Sequence, residues 1–337
     1  MHSSLRHRAP RPTLRPGGLR SLGLLAGGLL GGFALLSLGG LAARSAPSPK
    51  KPARVVKLPP ARRTGTVVAW GTNSSGQTTV PAGLSGVIAI AAGDYYSLAL
   101  KDDGTVVAWG AQGGIEMAVP VGLSGVTAIA AGYGQSLALK SDGTVVAWGA
   151  NGFSEATVPV GLSHVTAIAA GRHRSLAVKS DGTVVGWGTG YDSPPAGLSH
   201  VIAVAAGRNH QMALRSDGTV IVWGAGDMGQ TDVPAGLSGV TAIAAGRYCC
   251  LALKNDGTVA AWGTGGNGET DIPASLSHVV AIAAGGLNCL ALKSDGTVVI
   301  WGENDQGQRN LPPGLAPATA VASGKAFVLA LVPSSAH

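Results

Sequence analysis

The chain has 337 residues, enough for two average domains or for one repeat domain. Its net charge of +7 is unevenly distributed: residues 1–63 carry twelve of the 24 lysines and arginines and no acidic residue, which leaves twelve basic against 17 acidic residues in 64–337. A nucleic-acid-binding domain needs basic charge on its folded surface. Because residues 64–337 have a balance of −5, no nucleic-acid partner is expected.

The N-terminal segment is typical of an exported protein. Residues 1–20 are basic, and residues 21–43 follow without a charge, the order found in export signals and in membrane anchors. At ~1.5 Å per residue the uncharged run is long enough to cross ~30 Å of hydrocarbon, although its glycines weaken insertion. The triplets Leu41-Ala42-Ala43 and Ala43-Arg44-Ser45 each offer a cleavage site. We therefore predict export, with 21–43 either a cleaved signal peptide or a transmembrane anchor that makes the membrane a partner.

A linker and a repeat region follow. Residues 44–63 are rich in proline and basic residues, which predicts an extended linker. Residues 64–332 then repeat one unit, and 333–337 form a short tail. All seven tryptophans lie in copies of the motif GTVVAWG, at Trp70, Trp109, Trp148, Trp187, Trp223, Trp262 and Trp301. Their spacings are 39, 39, 39, 36, 39 and 39 residues, and a fixed period indicates a repeat architecture.

Each unit contains four strand-like runs. In the copy that starts at Gly143 these runs are TVVAW, ATVP, VTAIAA and SLAVK. An Asp-Gly pair, a strong hairpin signal, joins SLAVK to the next TVV run. Following the chain direction gives the order VTAIAA, SLAVK, TVVAW and the proline run, with the alanine-rich strand nearest the axis. The prediction is an all-β protein, a seven-bladed β-propeller of four-stranded blades.

The two ends of the repeat region predict how the ring closes. The first TVVAW run, at 66–71, has no preceding SLAL run, and the last inner runs, at 320–323 and 326–332, have no following TVVAW run. Unpaired, these segments would be exposed strand edges. We therefore expect 66–71 to pair with 326–332 and to complete the seventh blade.

The amino-acid sequence of the repeat resembles that of a known family. The line WGTNSSGQTTVPAGLSGVIAIAAGDYYSLALKDDG, at 70–104, resembles the regulator-of-chromosome-condensation repeat family in its WG-x-N-x-x-GQ, AAG and SLALK-x-DG steps. The resemblance covers 64–332 and implies a propeller. GQTTVPA and SGV-x-AIAAG are similar to the secreted β-lactamase-inhibitor propellers of this family. That similarity implies an exported, non-enzymatic binder whose partner docks on the loops of one face.

Two departures limit what the resemblance implies about activity. The inhibitors have tryptophan and phenylalanine on their contact face, whereas every tryptophan here lies in the repeated strand. Chromatin-associated members carry a histidine before the SLAL strand in many repeats, a position held here by Tyr96, Gln135, Arg174, His210, Cys249, Asn288 and Phe327. We therefore carry over neither β-lactamase inhibition nor guanine-nucleotide exchange.

Variable positions in the loops predict a binding surface. The inner loops, three residues each, follow AAG, and the outer loops follow WG. Arginines concentrate in the inner loops, and such residues with tyrosines commonly anchor interfaces. The candidate partner-binding residues are Tyr95, Tyr96, Tyr133, Arg172, His173, Arg174, Arg208, His210, Arg247 and Tyr248. Nine acidic residues in the outer segments predict a surrounding acidic ring: Glu116, Glu155, Asp192, Asp227, Asp232, Glu269, Asp271, Glu303 and Asp305. A basic crescent of this kind favours an acidic protein or other macromolecule, although ordinary solvation of loops also explains the charges.

Other candidate chemistry is weak. His173 and His210 lie one repeat apart, but no third ligand has inner-loop spacing, so no metal and no cofactor are expected. No nucleophile motif, P-loop or carboxylate pair occurs. Cys250 and Cys289 share a strand position, which leaves a disulfide open, and Cys249 is expected in a loop. The repeat after Trp187 is three residues short and predicts a notch in the ring.

Two alternatives to binding remain: an enzyme acting on an anionic substrate at the channel mouth, and a structural or adhesive module.

Overall fold

The structure is a computed structural model that describes residues 64–111, 114–189 and 193–334. The predicted basic segment 1–20, the export or anchor segment 21–43 and the linker 44–63 lie outside the described residues. Within the described ranges, no helix is long and apolar enough to cross a membrane. The fold is all-β, with one short 3-10 helix, Ile115–Met117, in the described part of the chain.

The strands are of three kinds. The inner strands carry the alanine-rich motif: Val87–Ala92 (β2), Val126–Ala131 (β5), Val165–Ala170 (β8), Val201–Ala206 (β11), Val240–Ala245 (β14), Val279–Ala284 (β17) and Ala320–Ser323 (β20). The middle strands carry the SLAL motif: Tyr96–Lys101 (β3), Gln135–Lys140 (β6), Arg174–Lys179 (β9), His210–Arg215 (β12), Cys249–Lys254 (β15), Asn288–Lys293 (β18) and Phe327–Pro333 (β21). The outer strands carry the tryptophans: Gly65–Gly71 (β1), Val106–Gly110 (β4), Val145–Gly149 (β7), Val184–Gly188 (β10), Val220–Gly224 (β13), Val259–Gly263 (β16) and Val298–Gly302 (β19).

These strands form antiparallel sheets arranged as a β-propeller. Five sheets have three strands in the predicted order of inner, middle and outer, as in β5-β6-β7, and one has six in the order β20-β21-β1-β2-β3-β4. Each inner strand contacts the inner strand of the next sheet unit, and β20 contacts β2, so the ring is closed. The alanine-rich strands therefore surround the axis, as predicted.

Two details of the predicted architecture are wrong. Blades with four strands do not form, because the proline run turns back on itself: the Thr79 amide donates to Gly76 O and the Val80 amide to Thr78 O, and proline has no amide hydrogen for a ladder. Separate sheets number six in the described residues rather than seven. The reason is that Gly65 of β1 also pairs with Val87 of β2, which joins the closing unit to its neighbour.

The predicted closure is confirmed. β1 pairs with β21 along its whole length, from Gly65 opposite Pro333 to Gly71 opposite Phe327. The Trp70 indole Nε1 also donates to Gln308 O at 2.9 Å. The first strand of the repeat region is thus held by the last one, and both chain ends of the ring are fixed without a covalent link.

The core lies between neighbouring sheets. Leu137 of β6 packs with Ile168 and Ala170 of β8 in one buried cluster, and the same contact recurs around the ring. The inner strands converge on the axis, so only small side chains fit there; Ala169 and Ala170 are fully buried. This packing explains the repeated AIAA motif: the ring needs small side chains at its axis, whatever the function of the protein.

Candidate binding site on the loop face

Inner and outer loops lie at the same end of the ring, which we call the loop face. The Ala111 amide of an outer loop donates to Tyr95 O of an inner loop at 2.8 Å, and Ala150 donates to Gly134 O at 2.8 Å. The Asp-Gly turns lie at the opposite end. His164, His200 and His278 belong there too, because each has the positive φ that Gly86, Gly125 and Gly239 adopt at the same turn position.

The first residue of each inner loop faces the channel mouth. Together these residues line a cavity of about 170 Å³, the axial well: Asp94, Tyr133, Arg172, Arg208, Arg247, Gly286 and Lys325. The glycines that end five of the AAG steps form the wall beneath them: Gly132, Gly171, Gly207, Gly246 and Gly285. Glycine is needed there, because a Cβ on Gly207 would lie 2.5 Å from Gly246 O and 2.5 Å from the His210 ring.

Tyrosine rings support three of the cations of the axial well. The Arg208 and Arg247 guanidinium carbons lie 5.6 and 5.1 Å from the centroid of the Tyr248 ring, and Arg208 also donates to the Tyr248 hydroxyl. Lys325 Nζ lies 4.8 Å from the Tyr95 ring centroid and donates to its hydroxyl. Cation–π contacts of this kind contribute about 0.5–1 kcal/mol when exposed. They hold the charges in place without neutralising them.

The fourth cation, Arg172, has a similar support. Its guanidinium carbon lies 5.6 Å from the Tyr133 ring centroid. Within the described ranges, no ion pair within 4 Å includes Arg172, Arg208, Arg247 or Lys325. The Arg172 Nε is buried and makes no hydrogen bond to the described residues. The well therefore presents four cations with spare capacity for an anion.

Among the described residues, Asp94 is the one carboxylate that lines the axial well. Burial raises the pKa of this side chain to about 6, although the charges of Lys325, Arg247, Arg172 and Arg208 act in the opposite direction. Loss of hydration disfavours the ionised form more than these cations favour it. Asp94 therefore changes its charge near pH 6.

Two predicted site residues, Tyr96 and His210, are not on the surface. Both are fully buried, because the third inner-loop position begins a middle strand and its side chain points into the next sheet unit. The Tyr96 hydroxyl donates to Gln135 O at 2.6 Å. The predicted Arg174 is partly buried at the same position, where Nη1 donates to Gln211 Oε1 at 3.4 Å. These three residues connect sheets instead of lining the site.

His173 joins an aromatic group that extends outward from the axial well. Its ring centroid lies 4.1 Å from that of Phe153 and 6.0 Å from that of Tyr133. Its Nδ1 is 3.9 Å from Glu155 Oε1. Burial, and then the charge of Arg172, lower the pKa of His173. Sequence reasoning missed Phe153, which is 46% exposed; the available signal was a phenylalanine where the first repeat has Ser75.

The predicted acidic ring is incomplete. Glu155 and Glu269 are buried, and each stabilises its own loop. The Phe153 amide donates to the Glu155 carboxylate at 2.7 Å, and the Asn267 amide donates to the Glu269 carboxylate at 2.9 Å. The exposed acidic residues of the outer loops are Asp227, Asp232, Asp271 and Asp305, while Asp192 lies outside the described residues. The predicted notch, in the short segment WGTGYDSPP at 187–195, includes residues 190–192, which lie outside the described residues, so it stays a prediction.

The cysteine expectation is also corrected. Cys249 is a buried residue of β15 and not a loop residue. Its Sγ lies 3.5 Å from Cys289 Sγ of the next sheet, whereas Cys250 Sγ faces Gln230 O at 3.5 Å. All three thiols are free and buried. The neighbouring pair is therefore Cys249 and Cys289, because consecutive strand residues point to opposite faces. Within the described ranges, no cluster of three metal-ligating side chains occurs.

Comparisons with known proteins agree with this architecture. The family model of the Regulator of chromosome condensation (RCC1) repeat matches residues 87–113, 126–155, 165–193, 201–230, 240–269 and 279–308. No curated protein sequence matches the chain.

Solved propeller structures are similar over most of the chain. Prp20p from Saccharomyces cerevisiae, described with binding properties to Gsp1p and histones, is 21% identical, with a TM-score of 0.68 over 81% of this chain and 92% of its own. Yeast RCC1 (Prp20) bound to Kap60 is 19% identical, with a TM-score of 0.69 over 88% and 97%. Human WBSCR16 is 18% identical, with a TM-score of 0.62 over 80% and 99%. At these identities the likeness concerns the fold.

Proposed function

Because the chain belongs to the regulator of chromosome condensation (RCC1) repeat family, we propose that it is a non-enzymatic propeller that binds an acidic protein through its loop face. The similar yeast protein binds Gsp1p, histones and Kap60, so this fold is suited to protein partners. The observation that carries the proposal is the set of four cations in the axial well that make no ion pair with a described residue, beside the exposed rings of Tyr133 and Phe153. Arginine and aromatic side chains of this kind dominate binding energy at interfaces.

An enzyme remains the second candidate, and Asp94 is the observation that favours it. A carboxyl with a pKa of about 6 in a cationic cavity has the properties of a general acid or base for an anionic substrate. The cavity of about 170 Å³ is smaller than sites for drug-sized ligands, which are about 300–1,000 Å³. The described lining residues include no histidine, serine, threonine or cysteine to act with Asp94 as a proton carrier or nucleophile. We therefore favour binding over catalysis.

Replacing Arg172, Arg208, Arg247 and Lys325 together with alanine should weaken binding of the partner captured by the parent protein by about 100-fold or more. Their charges attract an acidic surface, so added salt should also weaken binding to the parent protein. Titration calorimetry or surface plasmon resonance measures both effects. Arg309→Ala is the control, because Arg309 lies in an outer loop and donates to Gly302 O. Equal binding by the parent and the fourfold variant would contradict the proposal.

We also propose that the protein is exported, on the basis of the basic segment 1–20 and the uncharged run 21–43. Fusing residues 1–63 to a reporter enzyme that is active only after export should give activity outside the cytosol. The same fusion with Leu30→Arg and Leu36→Arg should lose that activity, since charge in the run opposes insertion. Reporter protein found intact in the cytosol with the unmodified segment would contradict export.

A further inference from the structure

The axial well gathers more positive charge than any fold requirement explains. Its lining residues occupy equivalent positions in the repeats, and the fold accepts tyrosine, aspartate or glycine there, at Tyr133, Asp94 and Gly286. Yet arginine follows AAG in three successive repeats, and lysine occupies the last. Four cations against one carboxylate repel one another in a partly buried site. A bound anion would relieve this repulsion.

We propose that the axial well binds a single small oxyanion, namely a carboxylate, sulfate or phosphate group. Arg172, Arg208 and Arg247 come from adjacent inner loops, and their guanidinium groups suit the planar or tetrahedral oxygens of such a group. The buried Arg172 Nε supplies a donor that no described residue uses. Lys325 adds a point charge from the closing unit of the ring.

The size of the axial well sets the class of ligand. A cavity of about 170 Å³ admits one oxyanion group with a few waters, whereas a nucleotide or a cofactor needs a larger site. The group has two sources: a free ion, or an acidic side chain of the partner that docks on the loop face. The second source rests on the proposed function, and the first does not.

Asp94 makes occupancy of the well dependent on pH. The groups that face it are Lys325, Arg247, Arg172 and Arg208, with Tyr133 in the next inner loop and the buried Tyr96 behind it. An anion in the well repels the ionised carboxylate, so the ligand binds best when Asp94 is neutral. Because the pKa of Asp94 is about 6, affinity should fall above that pH by up to about ten-fold per pH unit.

Titration calorimetry of the full chain with sodium sulfate tests the site, since sulfate keeps its double charge throughout the range. The parent should bind one sulfate per chain, about ten-fold or more tightly at about pH 5.5 than at about pH 7.5. Asp94→Asn should bind at about pH 7.5 as tightly as the parent does at the lower pH. Asp305→Asn, an exposed outer-loop change, should behave as the parent. Arg208→Gln should weaken binding, whereas Arg309→Gln should not.

The possible results separate the well from the rest of the loop face. No saturable sulfate binding by a folded parent, or an unchanged pH slope in Asp94→Asn, would overturn the site. Loss of partner binding in the fourfold alanine variant would in that case still support the proposed function. If sulfate competes with the partner, the occupant is an acidic group of the partner. If the partner binds equally well to the sulfate-loaded protein, the occupant is a free oxyanion.

Discussion

Deleting residues 64–81 should prevent the ring from folding, whereas deleting residues 1–63 should leave its thermal unfolding unchanged. The first deletion removes β1, which covers β21 from Phe327 to Pro333, and exposes an apolar strand edge. It also removes Trp70, whose loss alone would cost about 3–5 kcal/mol. The second deletion leaves every described strand of the ring in place. Circular dichroism and differential scanning calorimetry of the two shortened chains check the difference.

A pair of proline substitutions provides a finer test of closure. Val68→Pro and Val107→Pro fall at the same position of two outer strands, since Val68 lies opposite Ala330 and Val107 lies opposite Ala99. β4 stays tethered to β3 through the turn at 102–105, but β1 has no covalent link to β21. Val68→Pro should therefore lower the melting temperature more than Val107→Pro. Equal effects would mean that closure adds nothing beyond an ordinary outer strand.

The strand order and the closure were predictable because they rest on local signals repeated many times. Asp-Gly turns and the unmatched run at 66–71 leave few topologies that pair every edge. The fourth strand was not predictable in the same way. The proline run, TTVP in the first repeat, has strand-like composition, and only the three-dimensional path shows that 78–81 bonds to its own preceding loop and not to an outer strand.

The sequence predicted the location of the candidate site in the inner loops better than it predicted which side chains line it. Variation after AAG indicated Arg172, Arg208 and Arg247, and the ring brings these three residues together in the axial well; their role in binding stays a prediction. The same reasoning failed for Tyr96 and His210, because alternation along a strand decides which side chain points inward. It also gave Asp94 and Lys325 too little weight. Both occupy the first inner-loop position, so this position alone would have selected every charged or aromatic residue that lines the well.

His210 should make the protein sensitive to acid. The ring is fully buried, and neither nitrogen meets hydrogen-bond geometry with a described partner. Burial lowers the pKa of His210 from 6.5 to about 4, and the Cys249 backbone offsets only part of that effect. A base whose pKa is lowered by folding stabilises the fold above its unfolded pKa. That stability, about 3 kcal/mol, should be lost as the pH falls from about 6.5 to about 4.

The contribution of Asp94 to folding stability depends on pH in the opposite direction, over a pH range that overlaps that of His210. Its pKa is raised from 3.8 to about 6, so its contribution is fully favourable below about pH 4 and is lost as the pH rises through about 6. Solvent in the well screens this contribution, which makes it smaller than that of His210. In the parent protein the two therefore offset each other in part. Stability between about pH 4 and 6 should change less than either group alone would cause.

Two variants separate these contributions. His210→Gln places at this position the residue found at Gln135, whose Nε2 donates to Gly171 O and Arg174 O at 2.9 and 3.0 Å. Denaturant unfolding should show this variant gaining stability relative to the parent as the pH falls below about 6.5. Asp94→Asn should instead lose stability relative to the parent over the same fall. His173 remains in both proteins, so its titration cancels in each difference. A pH-independent difference between His210→Gln and the parent would mean that His210 takes up its proton in the folded state as readily as in the unfolded chain.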